Sequence, residues 1–289
     1  MQAPVAVVDA VPPDASGTAG EPATATSRYR LTTAQQTLGA GAGIVVIGLV
    51  WWLLAVTVFE ASRSVPTPAA VLRQYIHDGW HLYWSNAIVT TWSAVQGFFW
   101  GNLLAIVLAA TVLLVPALEG VASQIAVISY CIPLTAIGPV ILIIAPTGSR
   151  YTSIVLAALS VFFTTVVGCL LGLRAADRAA LDVVRAYGGG RWQQLRRVQV
   201  IASLPSVFAA LRLAAPAAFL GAVLGEYFGG IDSGLGVAIT AAQSNLRVAQ
   251  LWSLALLCGL IAGAWFAIIG LAGRLLTPWS GGPASGNHG

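Results

Sequence analysis

Residues 178–205 read RAALDVVRAYGGGRWQQLRRVQVIASLP, a polar, basic stretch between long apolar segments. Six arginines lie between positions 174 and 197, although only 8% of the chain is charged and 57% is hydrophobic. No Asp, Glu, Lys or Arg occurs in residues 39–59, 82–118, 120–149, 151–173 or 248–273. A bilayer core about 30 Å thick needs roughly 20 apolar helical residues, so these runs predict membrane-spanning helices. The basic stretch is therefore a loop of a membrane protein.

Working outward from that loop, we predict an all-α, polytopic membrane protein with six transmembrane helices. The mean hydropathy of +0.83 agrees with this class. The predicted spans are about 38–59, 86–115, 121–145, 151–173, 206–224 and 251–275. We expect Pro133 and Pro139 to break the third span, either because it lines a solute pathway or as a packing kink. Gly97, Gly101, Ala105 and Ala109 place small residues on one face of the second span, which favours close helix contact unless the spacing is chance.

The distribution of arginines predicts the orientation of the chain. With six spans, nine arginines lie on one face, including Arg28, Arg30 and Arg274, and four lie on the other. By the positive-inside rule the nine-arginine face is cytoplasmic. We therefore expect a plasma-membrane protein in the lipid bilayer with both termini cytoplasmic. Residues 1–27 and 280–289 are predicted to be disordered tails.

Several chemistries are excluded or disfavoured by composition. The chain has no lysine, so it cannot contain a Walker A loop or a Schiff-base lysine. The three cysteines, Cys131, Cys169 and Cys258, lie in apolar runs without metal or redox spacing. His77 and His81 are four apart but lie among Trp80, Tyr83 and Trp84, a pattern typical of a membrane-interface belt. We expect no metal, no cofactor and no nucleic-acid partner, and any ATP must be bound by another chain.

The basic loop itself has a helix, glycine, helix pattern. Asp177 is a candidate N-cap, apolar residues recur at helical spacing up to Tyr187, and Gly188–Gly190 ends this helix. A second amphipathic segment, residues 192–204, is expected to end at Pro205. Two interpretations follow: an amphipathic loop lying on anionic lipid, or an element that docks into a partner protein.

The loop resembles the cytoplasmic EAA motif of binding-protein-dependent ABC transporter permeases. The likeness covers about residues 84–279, in a nitrate/sulfonate/taurine-type pattern. The matching residues are Leu181-Asp182, Arg185, Gly188, Arg191-Trp192-Gln193, Leu204-Pro205, LRLA at 211–214, GFFWG at 97–101, IPLTAIGPVILI at 132–143, GEYF with GLGVAI, and LLTPW at 275–279. The sequence departs from the motif where Asp182-Val183-Val184 replaces Glu-Ala-Ala, and where Ile201 replaces a proline.

The resemblance implies a type I ABC importer permease fold with a cytoplasmic coupling loop at residues 174–205. It implies a non-catalytic subunit that works with an ATP-binding subunit, an extracytoplasmic substrate-binding protein and a second permease copy, identical or related. The solute would be a small organic compound or an oxyanion such as a sulfonate, taurine or nitrate. The residues implied at the ATPase interface are Asp182, Arg185, Gly188, Arg191 and Trp192, with Gly188 as hinge.

The solute pathway is less sharply predicted. Glu226, near the outer end of span five, either reaches interfacial water or serves a gate or binding-protein contact. Polar residues inside apolar spans are functional candidates, namely Gln96, Asn102, Ser129 and Tyr130. The alternative function is a secondary transporter or channel that works alone, but spans one to four and six lack acidic and basic residues, which disfavours ion coupling. A membrane enzyme is disfavoured because no His, Asp and Glu cluster occurs.

Overall fold

A computed structural model of the chain describes residues 33–281 and is helical throughout its regular elements. By contacts, the chain divides into residues 1–47 and 48–289. The helices are α1 (Thr33–Thr57), α2 (Pro68–Asp78), α3 (Trp80–Leu114), α4 (Glu119–Cys131), α5 (Leu134–Ile144), α6 (Tyr151–Arg174), α7 (Arg178–Ala186), α8 (Arg191–Gln194), α9 (Val200–Tyr227), α10 (Leu235–Ser244) and α11 (Val248–Leu276). The tail predicted at 1–27 lies outside the described residues, as does the part 282–289 of the tail predicted at 280–289, whereas Pro278–Gly281 is a short 3-10 helix.

Four helices of the described part are long and apolar enough to cross a membrane. They are Trp80–Leu114, Tyr151–Arg174, Arg191–Tyr227 and Val248–Leu276, and the pair α4–α5 makes a fifth crossing if counted as one span. The predicted first span corresponds to α1, of which Gly41–Thr57 qualifies only as a shorter apolar helix. A multi-pass all-helical membrane protein is thus established, and the count of six spans stays a prediction.

The third predicted span is two helices joined at an angle of 92°. The break falls at Ile132 and Pro133, as expected, because Pro133 cannot continue the preceding helix. Pro139, by contrast, lies inside α5 without ending it, so that part of the prediction was wrong. The bend brings the end of α4 beside α6 and α9, where it borders a cavity.

The expected break at Pro205 was also wrong. Arg191–Tyr227 is one helical span of 37 residues, in which Leu195–Gln199 has π geometry and Pro205 and Pro216 are interior residues. Proline is tolerated inside a membrane helix where neighbouring helices and serine side chains bond the freed backbone groups. Pro205 leaves the carbonyl of Ile201 without its helical N–H donor, and Ser203 donates to the neighbouring carbonyl of Val200 at 2.8 Å. The basic loop is therefore joined rigidly to the fifth predicted span.

Helix α6 lies between α3 and α9 in close contact with both. A Cβ atom on Gly97 would lie 2.3 Å from the Cβ of Ala157, and one on Gly101 would lie 2.5 Å from the Ala158 carbonyl oxygen. The predicted small-residue face of α3 is thus confirmed as a helix contact, and Ala105 and Ala109 on it are fully buried. Where lipid provides no hydrophobic drive, such close approach supplies the dispersion energy that holds the helices together.

The arginine-rich loop and the segment after α9 lie at opposite ends of this bundle. At one end, Arg191 donates to the carbonyl of Leu114, the last residue of α3, at 3.3 Å. At the other end, Arg150 donates to the carbonyl of Val89 at 3.2 Å, about two and a half turns into α3 from Trp80. We refer to these as the loop end and the outer end, the second label following the orientation predicted from the arginines, which stays a prediction. Arg150 thus lies away from the six clustered arginines, as the charge distribution predicted.

Candidate functional site

The first helix of the basic loop, α7, protrudes from the bundle. Asp177 begins it as predicted, accepting from the backbone N–H of Ala179 at 3.0 Å. None of its nine residues is buried, and the apolar side chain of Val183 is exposed. Tyr187, immediately after the helix, is 90% exposed. Ala180, Leu181 and Val184 on its apolar face are only partly buried, and an amphipathic helix whose apolar face is incompletely covered is suited to contact with another molecule.

Glycines end α7 and turn the chain back toward the bundle. Gly188 has φ of +76°, a left-handed conformation that glycine adopts without strain, and no other atom would crowd a side chain there. A Cβ on Gly189 would lie 2.4 Å from Cγ1 of Val184. The second glycine therefore leaves room for the valine that stands where the EAA pattern has alanine.

The predicted interface residues surround this turn. Asp182 and Arg185 form an ion pair at 3.3 Å with both side chains largely exposed. Arg191 reaches back to Leu114, so it positions the loop against α3 rather than projecting outward. Trp192 is 61% exposed and lies at the edge of an apolar groove of about 520 Å³ between α3, α6 and α9. The structure thus places Asp182, Arg185 and Gly188 in or just after α7, while Arg191 and Trp192 lie in α8 against the bundle.

At the outer end, Glu226 is 1% exposed in the last turn of α9. Its Oε2 accepts from the backbone N–H of Gly236 at 2.9 Å and from the hydroxyl of Thr90 at 2.8 Å. The interpretation of Glu226 as an interfacial carboxylate that reaches water was therefore wrong. A carboxylate at a helix N-terminus satisfies free N–H groups and interacts favourably with the helix dipole, so Glu226 fixes the start of α10.

Two residues of α3 complete this arrangement. The Thr90 hydroxyl accepts from the backbone N–H of Leu235 at 2.8 Å. The side-chain amide oxygen of Asn86, Oδ1, accepts from the backbone N–H of Gly234 at 2.8 Å. Gly234 has φ of +137°, and a Cβ there would lie 2.4 Å from the carboxyl carbon of Glu226. We call Asn86, Thr90, Glu226, Gly234 and Gly236 the outer clamp, because together they hold α10 against α3 and α9.

Sequence reasoning missed Asn86 and Thr90. The available signal was their spacing of four within an apolar run, which places both on one face of α3. A second signal was the glycine-rich GLG segment, whose small residues allow a carboxylate to approach the backbone. Neither signal identifies the partner, since residue 226 and residue 90 are far apart in the chain.

Ser129 and Tyr130 lie at the bend between α4 and α5. Both line a cavity of about 330 Å³ that is also bordered by Ser160 of α6 and Gly221 of α9. Tyr130 stacks on Phe163 with ring centroids 4.6 Å apart. The other lining residues are Ile132, Leu134, Leu159, Ala217, Leu220 and Leu224, so no charged side chain borders this cavity within the described part of the chain.

Gln96 and Asn102, the other predicted pathway residues, do not border this cavity. Gln96 donates to the carbonyl of Trp92 in its own helix at 3.4 Å. Asn102 is buried, donates to the carbonyl of Phe98 at 2.6 Å and accepts from the hydroxyl of Thr165 in α6. Asn102 thus satisfies its polar groups between α3 and α6, and its arrangement is that of a helix contact.

The described residues contain no group of three or more His, Cys, Asp or Glu side chains that could hold a metal ion. His77 lies 3.4 Å from Asp78, and Asp78 also accepts from Tyr83 at 2.8 Å. Tyr83 is buried, so it does not belong to the interface belt predicted around it, whereas Trp80 and Trp84 are exposed and stacked. None of these side chains is arranged as a metal site.

These features define a class: a multi-pass helical membrane protein with an exposed amphipathic helix, α7, at one end and a short apolar helix, α10, held by the outer clamp at the other. Residues 101–280 match the family described as binding-protein-dependent transport system inner membrane component. The chain belongs to this family, and it is therefore an ABC transporter permease of the inner membrane.

Individual relatives cover most of the chain. A probable ABC transporter permease protein of Haemophilus influenzae is 28% identical over 81% of this chain and 94% of its own length. The riboflavin transport system permease RibX of Chloroflexus aurantiacus is 29% identical over 80% of this chain and 86% of its own. The formylaminopyrimidine transport permease protein ThiX of Halalkalibacterium halodurans is 23% identical over 80% of this chain and 92% of its own length.

Proposed function

We propose that this permease is the membrane subunit of an ATP-driven importer in which a separate ATP-binding subunit docks on α7 and the turn at Gly188. The observation that carries the proposal is α7 itself, a nine-residue amphipathic helix without a buried residue. Since the chain contains no lysine, the nucleotide phosphates need a Walker A loop in another chain. Asp182, Arg185, Arg191 and Trp192 then contact or shape that interface.

We call α7 and the turn at Gly188 the docking turn. One continuous helix connects it to the outer end, so motion at the docking turn can be transmitted there. The helix Arg191–Tyr227 is about 55 Å long at 1.5 Å per residue, and it joins the turn to Glu226. A displacement of α7 on ATP binding would move this helix as a body, and Gly188 would be the hinge. At its far end the outer clamp would carry α10 with it, which makes Glu226 a positioning residue for the outer gate and for the surface that meets the binding protein.

The proposed solute is a small organic molecule, and the structure favours an aromatic heterocycle over an oxyanion. The cavity beside Ser129 and Tyr130 offers hydroxyl groups and an aromatic face but no cationic side chain among its lining residues. A sulfonate or nitrate would require charge-assisted partners, typically arginine. Two of the relatives are named for riboflavin and formylaminopyrimidine transport, which agrees with this preference. A second permease copy would complete the pathway around this cavity.

Reconstitution tests the proposal against a stand-alone transporter. The permease would be placed in proteoliposomes with its ATP-binding subunit and binding protein, and uptake of labelled riboflavin, a pyrimidine, taurine and nitrate would be followed with and without ATP. We expect uptake that requires ATP and all components, with a heterocycle preferred. Equal flux without ATP or without the ATPase would overturn the importer in favour of a secondary transporter or channel. ATP-dependent uptake of taurine or nitrate alone would overturn only the solute assignment.

A further inference from the structure

A second cluster of cationic side chains lies between α9 and α11, on the loop-end half of both helices. Arg212 of α9 and Arg274 of α11 line the same cavity of about 170 Å³. Its other lining residues are Pro205, Phe208, Ala209, Ile269, Gly270, Gly273 and Thr277, and none of them is acidic. Two like charges thus share one small cavity without a carboxylate among its described lining.

The position of Arg212 is built into the contact between the two helices. Its guanidinium carbon lies 4.0 Å from the centroid of the Phe266 ring. A Cβ on Gly270 would lie 2.8 Å from Nε of Arg212, so only glycine at 270 lets the side chain lie across α11. Nε is buried and has no hydrogen-bond partner among the described residues. The side chain of Arg212 is therefore part of the contact between α9 and α11.

A guanidinium with a buried, unpaired Nε–H inside a membrane span is costly, and arginines there pair with other groups or mark a binding site. The cation–π contact with Phe266 offsets part of that cost but leaves the N–H donors to be satisfied. Arg274 is exposed in the last turn of α11, four residues after Gly270 and therefore on the same face. The planar guanidinium of Arg212 presents N–H donors in a geometry that matches the oxygens of a phosphate group, and the guanidinium of Arg274 lies at the same cavity.

We propose that Arg212 and Arg274 form a binding site for a phosphate group, supplied by an anionic phospholipid of the leaflet at the loop end. Basic pockets between transmembrane helices at this side of a membrane suit lipid headgroups. Apolar residues beside the cavity, Ile269 and Phe208, provide a surface for the acyl chains. A lipid bound here would hold α11 against the half of α9 that continues into the docking turn. This site does not depend on the transport function proposed above.

The test follows thermal unfolding of the full-length permease in detergent during titration with a phosphate ligand, since a ligand of the folded state raises the unfolding temperature. The three probes are dioctanoyl phosphatidylglycerol, dioctanoyl phosphatidylcholine and inorganic phosphate. The variants are Arg212→Gln, Arg274→Gln and, as matched control, Arg247→Gln, an exposed arginine that directly precedes α11 at its other end. We expect the half-saturating concentration of phosphatidylglycerol to rise about fivefold in each of the first two variants and to stay unchanged in the control.

The outcomes separate the sources of the phosphate. Stabilisation by inorganic phosphate with the same dependence on Arg212 and Arg274 supports the site and makes its ligand soluble. Equal stabilisation by phosphatidylcholine, or an equal loss in Arg247→Gln, overturns it as a nonspecific detergent effect. Unchanged affinity in both Arg212→Gln and Arg274→Gln also overturns it. If Arg212→Gln does not fold, the exposed Arg274 decides the question alone.

Discussion

The two ends of this permease use polar residues in opposite ways. At the loop end, Asp182 and Arg185 are exposed on a helix that buries none of its own residues, and Tyr187 is exposed directly after it. At the outer end, Thr90 and Glu226 are buried and hydrogen-bonded to the start of α10. The first arrangement contributes little to stability and leaves its groups available to a partner. The second arrangement holds α10 in place through Oε2 of Glu226, whereas Oε1 is buried without a partner among the described residues. Substitutions at the two ends should therefore affect different measurements.

The largest effect is expected from Gly188→Val. A β-branched residue is strongly disfavoured at φ of +76°, so the turn after α7 must rearrange. We expect ATP-dependent uptake to fall at least tenfold while membrane insertion is unchanged, measured by transport assay and by membrane fractionation. The matched control is Gly190→Val, because Gly190 has φ of −79° and open space around it. Normal uptake by Gly188→Val would contradict the role of this turn.

Substitutions in the outer clamp should lower the free energy of unfolding. Glu226→Ala removes the acceptor of the Gly236 N–H and of the Thr90 hydroxyl, and leaving buried donors unpaired costs about 2–4 kcal/mol of the free energy of unfolding. Thermal unfolding in detergent would measure this loss of stability. The control is Glu60→Ala, because Glu60 is exposed and its substitution should change the free energy of unfolding by less than about 0.5 kcal/mol. Equal melting temperatures for the two variants would refute the clamp.

A smaller loss of stability is expected from Gly234→Ala. The added Cβ would lie 2.4 Å from the Glu226 carboxyl carbon, so α10 must shift, at an expected cost of about 1–3 kcal/mol. Gly229→Ala is the matched control, because Gly229 also has positive φ, +90°, but has no atom near the added Cβ. The difference in unfolding temperature between the two isolates the contact with Glu226. No difference would mean that backbone strain alone explains the loss.

Asp182→Ala should have the smallest effect on stability. An exposed ion pair contributes about 0–1 kcal/mol, so the free energy of unfolding should change by less than about 0.5 kcal/mol. ATP-dependent uptake should nevertheless fall, and Asp182→Glu, which restores the acid of the EAA pattern, should retain it. A large loss of stability in Asp182→Ala would show that the loop supports the fold, contrary to the contrast between the ends.

Local patterns in the sequence predicted the loop well. Asp177 begins α7, Gly188 follows its end in a left-handed conformation, and the family resemblance is confirmed by the family match. These predictions succeeded because capping and chain reversal depend on neighbouring residues. The predicted break at Pro205 does not occur, because the continuation of a helix through proline depends on its packing against neighbouring helices.

Contacts between distant residues could not be predicted in the same way. The burial of Glu226 depends on α10 folding back over α3. The pattern of apolar residues in 200–227 contains no information about the position of α10. The same holds for Asn102. As a polar residue in an apolar run it was predicted to be functional, because its hydrogen-bond partner Thr165 lies 63 positions away and could not be recognised from the sequence. The sequence therefore indicates which polar residues are unusual, and only the tertiary structure says which of them are satisfied within the fold.

Site-directed cross-linking at Tyr187 tests the central claim most directly. The experiment uses Tyr187→Cys in a Cys131→Ser background, since Cys131 is exposed and the other two cysteines are buried. In membranes containing the ATP-binding subunit, a short bismaleimide should link residue 187 to that subunit, with a yield that changes on adding ATP. Leu246→Cys, 84% exposed at the outer end, should not link to it. No cross-link from residue 187 in an intact complex, or an equal one from residue 246, would contradict docking of the ATPase on this turn.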